Sequence, residues 1–262
     1  MTRVMRIVAI IIALGVIIFA GMQLGAYFYK GSEENAVNDE LAEIANLAIG
    51  TKWEDPDIGN EANTYAKKLF GKAAPNNASH SGKQTPESLK EAEKRKINFS
   101  ALKEKNKDII AWISIPNTPI DYAVVKAKDN SYYLSRNAMR KSSTSGAIFL
   151  DSKGKSDFTS RDSILYGHRM KDRTMFGSLI WYRNKKYAEE HSYIFIYTPK
   201  ATKKYRVEKC YKTIKENLVP DQSETETLTL VTCDDPTGKI HYIVRAQLVS
   251  SKDNLSVILN ND

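Results

Sequence analysis

From residue 109 to residue 249 the chain breaks into short β-forming runs separated by turn signals, and no other feature constrains its fold as strongly. Ile109 to Ile115 and Ile120 to Val125 flank Pro116-Asn117-Thr118-Pro119. Ala147 to Leu150, Ser163 to Tyr166, Ser192 to Tyr197, Tyr205 to Tyr211, Thr227 to Thr232 and Ile240 to Val249 follow. A short helical pattern at Phe99 to Lys105 precedes these runs, and another falls among them around Met175 to Tyr182. About eight short strands with few helices predict a mostly β fold closed into an eight-stranded barrel, because closure leaves no exposed sheet edge. In the last run Ile240, Tyr242, Val244, Ala246 and Leu248 fall on one face, and Lys239, His241, Arg245 and Gln247 on the other. Alternation makes the first set core and the second solvent or groove. Ile243, apolar on the polar face, fits a groove lining.

Ahead of the strands the composition changes twice. Ile7 to Phe28 is an almost unbroken apolar run, long enough to cross a bilayer as a helix. Arg3 and Arg6 precede it and acidic residues soon follow, so the expected orientation leaves the N-terminus in the cytoplasm and the remainder outside. The run is long for a signal peptide and lacks a clean small-x-small site, which favours an uncleaved anchor. Ser32 to Ile49 reads as a helix with Val37, Leu41, Ile44, Ala45 and Ala48 at helical spacing, and Gly50 stops it. Thr51 to Thr85 is mostly polar and reads as a spacer. The expected organisation is a cytoplasmic tip and membrane anchor over 1–30, a stalk over 31–86, and a globular domain over 87–262.

Charge narrows the partners. Lys and Arg total 39 against 31 for Asp and Glu, which suits lipid headgroups or wall polymers. The sequence has no zinc-ligand cysteine pairs, no RNA-binding signature and no glycine-rich phosphate loop, so nucleic acid is the weakest option.

The cysteines are Cys210 and Cys233. Cys233 ends the alternating run Thr227-Leu-Thr-Leu-Val-Thr-Cys and is followed by Asp234-Asp235, a rim position and not an apolar pocket. A nucleophilic thiol there needs a histidine and an oxyanion stabiliser from elsewhere in the chain. The alternatives are a small buried hydrophobe or, in an exported domain, a disulfide with Cys210. Ser163-Ile-Leu-Tyr-Gly-His168 is a second strand ending in a reactive side chain, and an imidazole there suits acid/base work. His191 reads as an ordinary surface residue, and His80 as a solvated one.

These residues resemble the sortase family, class B most of all. Thr229-Leu-Val-Thr-Cys233 is similar to the family's TLxTC strand, and Leu165-Tyr-Gly-His168 to its histidine strand. Asp108-Ile-Ile-Ala-Trp-Ile, Asp121-Tyr-Ala-Val-Val, Asp129-Asn-Ser-Tyr-Tyr-Leu134, Gly146-Ala-Ile-Phe-Leu-Asp151 and Met175-Phe-Gly-Ser-Leu179 are class-B-like in the same order. The resemblance implies an extracytoplasmic cysteine transpeptidase on a sortase-like barrel. Its thiolate, Cys233, would attack a threonine carbonyl in the C-terminal sorting signal of an exported protein, and His168 would serve as acid and base. An amine of a peptidoglycan precursor or cross-bridge would resolve the thioacyl-enzyme. This chemistry needs no metal or organic cofactor.

The chain departs from the family in two places. Sortases place an arginine on the final strand to stabilise substrate or oxyanion. Arg245 is the only arginine there, yet aligning the strand by its apolar core puts His241 at the arginine's place. Four strand residues span about 13 Å, so both cannot serve one atom without a bulge. Arg245 reaching the site through a distorted turn at Asp235-Pro-Thr-Gly238 is the reading favoured here, with His241 as the alternative occupant. The second departure is Lys215 to Glu226, short and polar where class B members carry a long insertion with a helix. These departures keep open a competing role as a non-catalytic, membrane-tethered wall-binding or scaffold domain, since fold alone does not fix function.

Overall fold

The alternating runs become eight strands: β1 (Ile109–Ser114), β2 (Asp121–Val125), β3 (Ile148–Leu150), β4 (Asp162–Tyr166), β5 (Tyr193–Tyr197), β6 (Ala201–Ile214), β7 (Thr227–Cys233) and β8 (Ile240–Asp253). They close in the order β1-β2-β3-β4-β7-β8-β6-β5, a barrel as expected. Neighbours are antiparallel except β2 with β3 and β4 with β7, which run parallel. The computed structural model describes residues 16–22, 35–45, 82–214, 225–233 and 238–254.

β6 and β8 are longer than their sequences suggested. They pair from Ala201↔Asp253 to Ile214↔Ile240, with register shifts at Lys204/Tyr205 and Val207/Lys209. The Lys-rich ends of β6 form strand because each has a partner on β8, not because they are apolar. The expected helix at Met175 to Tyr182 is a 3-10 helix, Gly177–Arg183.

Helices α1 (residues 16–22) and α2 (residues 35–44) precede α3 (Pro86–Lys94), α4 (Phe99–Lys105) and α5 (Lys185–Glu190). α3 starts where Pro86 sets the first turn and Thr85 and Ser88 cap each other's amides at 3.2 and 3.0 Å. Past its end, Arg95 grips Asp121 of β2 with two bonds of 2.8 and 2.7 Å, while the Trp112 indole donates to the same carboxylate at 3.0 Å. This bidentate pair fastens the helical layer to the barrel.

The barrel interior holds Ile113, Val124, Leu165, Phe176, Leu228, Leu230 and Val244 among others, all buried. A second core lies between the outer face of β1 and β5 and the helices, where Phe99 and Leu102 of α4 meet Trp112, Phe195 and Tyr197. α2 joins this core through Leu41, 1% exposed, followed by the fully buried Ala45. The segment expected to be stalk therefore contains a helix docked on the domain. The expected membrane span at 7–28 lies outside the described residues except for α1. Among the described residues no helix is long and apolar enough to cross a membrane. Most of the expected spacer, with His80, is likewise outside them.

His191 is not a surface residue. It is 5% exposed and stacks on Tyr187, ring centroids 4.0 Å apart, with Nδ1 bonded to the Tyr187 carbonyl at 3.0 Å. Burial lowers its pKa from the ordinary value, because the imidazolium is the form that loses hydration. The native state thus binds fewer protons here than the unfolded chain. Its contribution to stability is full above about pH 6.5 and is lost as pH falls through the folded-state value. His191→Gln is expected to flatten that slope in thermal unfolding followed against pH. Leu41→Ala is expected to destabilise the chain by about 3 kcal/mol in denaturant unfolding, whereas a helix free of the domain would show no change.

Candidate active site

Parallel pairing decides where the reactive side chains go. β4 and β7 run in register from Asp162↔Thr227 to Tyr166↔Val231. The Gly167 amide continues the ladder by donating to the Val231 carbonyl at 3.1 Å. Both chains then leave the barrel at the same end, His168 two positions past Tyr166 and Cys233 two positions past Val231. Neighbouring strands lie about 4.8 Å apart, so the backbones at 168 and 233 emerge side by side. On its other flank Cys233 pairs with His241 of β8, and His241 with Thr213 of β6. One rim row reads 168, 233, 241, 213.

The rows behind it share this outer face. Tyr166, Val231, Ile243 and Tyr211 form the next, then Ile164, Thr229, Arg245 and Lys209. Ile164, Val231 and Ile243 make a small apolar cluster with Tyr166 and Tyr211 packed against it, so Ile243 does lie on an apolar outer face. Arg245 lies beyond it. Its Nε donates to Thr229 Oγ1 at 3.2 Å, and its guanidinium stands 3.6 Å from Asp162 Oδ2 and 5.9 Å from the Tyr211 ring centroid. Thr229 Oγ1 in turn donates to Asp162 Oδ1 at 2.8 Å.

The backbone register therefore places positions 168, 233 and 241 at one rim, while the Arg245 side chain turns to Asp162 at the start of β4. The β7–β8 register runs unbroken through Cys233↔His241. Of the turn expected to be distorted, residues 235–237 lie outside the described residues, as do residues 215–224 of the loop before β7.

His168 is held on three sides. Its Nε2 is 2.8 Å from the Leu134 carbonyl. A carbonyl only accepts, so Nε2 carries the proton and Nδ1 is the nitrogen left for exchange. Gly146, at φ +61°, lets the Tyr133–Leu134 backbone and the imidazole close in: a Cβ there would stand 2.6 Å from the Tyr133 carbonyl oxygen and 3.1 Å from His168 Cδ2. Gly167 is as confined, since a Cβ would lie 2.7 Å from the Phe176 ring and against Ile148. Behind the imidazole, Phe176 N–H donates to the His168 carbonyl at 3.1 Å and an Arg169↔Met175 bridge closes the loop.

Cys210 carries a free thiol, so it is not bonded to Cys233. It packs against the barrel interior, and β8 lies between it and β7. Burial pushes its thiol up to about 11, the opposite of what a nucleophile needs. Among the described residues no group of three or more His, Cys, Asp or Glu side chains could hold a metal ion.

Sequence reading missed Asp162, Leu134 and Gly146 as parts of this site. Gly146 and Leu134 lie inside the class-B-like motifs, which was the available signal. Asp162 gave none, since an acidic residue opening a strand looks like a solvated end.

The sortase-domain family model matches residues 113–249. Sortase B of Listeria monocytogenes is 28% identical over 181 residues, covering 69% of this chain and 58% of that protein. Sortase B of Staphylococcus aureus is 32% identical over 129 residues, covering 49% of this chain and 53% of that protein. The chain thus spans between half and three-fifths of the length of these curated relatives. Among solved structures, Staphylococcus aureus sortase B superposes with a TM-score of 0.54 at 26% identity, over 58% of this chain and 86% of that one. Sortase B from B. anthracis, in complex with AAEK1, gives 0.52 at 27% identity, over 73% of this chain and 96% of that one.

Arg245→Ala removes the guanidinium that stands 3.6 Å from the Asp162 carboxylate, whose side chain is 1% exposed. A loss of about 3 kcal/mol in urea unfolding is expected, with Asp162→Asn in the same background restoring part of it.

Proposed function

We propose that this chain, which belongs to the sortase family, is a membrane-anchored cysteine transpeptidase. It cleaves the C-terminal sorting signal of exported proteins after a threonine and passes the acyl group to a peptidoglycan amine. The observation that carries this reading is the parallel β4–β7 ladder, which puts residues 168 and 233 at one rim.

The Cys233 thiol passes its proton to His168 Nδ1 as the thiolate forms; the thiolate attacks the threonine carbonyl carbon, and the scissile C–N bond breaks as Nδ1 gives that proton to the leaving amine. The product is a thioester on Cys233. The incoming amine attacks it, His168 takes up the proton the amine sheds, and the C–S bond breaks to restore the thiolate. Nδ1 is the shuttle atom, because Nε2 is committed to the Leu134 carbonyl. Water in place of the amine gives hydrolysis.

Stabilisation of the oxyanion falls to His241, which pairs across from Cys233, and not to Arg245, which is engaged with Asp162. Arginine carries a permanent charge and five N–H donors, whereas an imidazole offers at most two. Stabilisation by a histidine is therefore weaker than by arginine. The same substitution is the observation that favours the second reading, a non-catalytic wall-binding or scaffold domain on a sortase-like barrel.

The N-terminal run 7–28 supplies a single-pass anchor with Arg3 and Arg6 in the cytoplasm, and the globular domain faces outward. The helical conformation of residues 16–22, all exposed and mostly apolar, supports this.

Incubation with a library of threonine-containing sorting peptides and an amine acceptor is expected to yield ligated product, with a thioester on Cys233 detectable by mass spectrometry. Cys233→Ala should abolish both, and His241→Ala should reduce turnover by about 100-fold, the effect of removing an oxyanion donor. Arg245→Ala, where it folds, should keep most of the activity. Absence of cleavage by the native chain across the library would favour the scaffold reading.

A further inference from the structure

We infer that Tyr122, a residue of the barrel interior, positions His168 for proton transfer; this assignment rests on the transpeptidase reading above. Tyr122 stands on β2 and is 8% exposed, with its ring in the interior core. Its hydroxyl oxygen accepts the Met175 amide at 3.1 Å, a bond between residues 53 apart in the chain.

Met175 ends the loop that begins at His168. It bridges to Arg169, and the next amide, Phe176 N–H, donates to the His168 carbonyl at 3.1 Å. The acceptor on Tyr122 therefore fixes the peptide unit adjacent to the one that pins the histidine backbone. Within the loop, Arg173 N–H donates to the Met170 carbonyl at 3.2 Å, and Thr174 donates to Asp172 Oδ1 from its amide at 3.1 Å and its hydroxyl at 2.7 Å. Arg173 and Met175 hold left-handed φ values of 66° and 54°, a conformation that side-chain-bearing residues keep only where their surroundings impose it.

Met175 is 3% exposed and Phe176 fully buried, so an amide deprived of its acceptor there has no water to turn to. Phenylalanine would fill the core as well as tyrosine. The hydroxyl is what the loop uses, and burial keeps the phenol neutral by raising its pKa far above the ordinary value.

Tyr122→Phe in the full chain tests this. Peptide-cleavage kcat is expected to fall about tenfold with KM changed less than about twofold, because the reacting group is misplaced while the peptide still binds. The side-chain nitrogen signals of His168, identified by their loss in His168→Ala, should pass from a single Nε2-protonated tautomer to a mixture. A kcat within about twofold of the native value overturns the proposal. So does a lower kcat with the His168 signals unchanged, which marks a merely structural residue. If the variant does not fold, amide exchange in the native chain decides: protection of Met175 equal to that of Phe176 supports the bond, and exchange at the rate of an exposed loop amide overturns it. A native chain that cleaves no peptide fails the transpeptidase reading instead, while the tautomer and exchange measurements still judge Tyr122.

Discussion

The parallel ladder between β4 and β7 is the constraint on which the site depends. Antiparallel strands would send the residues after Tyr166 and Val231 to opposite ends of the barrel. Parallel ones send both to the same end, with the register Tyr166↔Val231 fixing the level at which they emerge. Parallel pairing needs a crossover, and here it carries the 3-10 helix, α5, β5 and β6. That is why a histidine at 168 and a cysteine at 233 share a rim.

Charge is arranged in depth along the same outer face. The rim row has histidines at 168 and 241 on either side of Cys233, then comes an apolar and tyrosine row, and then Arg245 with Asp162 and Thr229. A guanidinium satisfied by a buried carboxylate is poorly suited to leave it for a substrate, because Asp162 would remain charged and desolvated. The residue that pairs across from Cys233 is His241.

Much of the barrel was legible because strand formation is local. The apolar run at Ile109 to Ile115 and the alternation at Tyr242 to Leu248 are each visible in a few residues. The lengths of β6 and β8 were not, since Lys212 to Ile214 and Ser250 to Asp253 are strand only through partners on the other of these two strands. The same holds for the helix around Leu41, amphipathic on sight but assigned to a stalk: its apolar stripe names no partner, and the cluster it joins also holds Phe99, Leu102 and Trp112. His191 looked solvated because two glutamates precede it, while the ring that covers it, Tyr187, lies one helical turn away.

The sequence alone determined that short alternating strands close on themselves and that a thiol and an imidazole each stand at a strand's end, because alternation and turn chemistry are properties of neighbouring residues. Tertiary structure decided the rest: that residues 168 and 233 emerge side by side, that His241 and not Arg245 pairs with Cys233, and that Arg245 is held by Asp162. Register between distant strands is set by how whole faces pack, and a shift of one residue would have reversed every side chain.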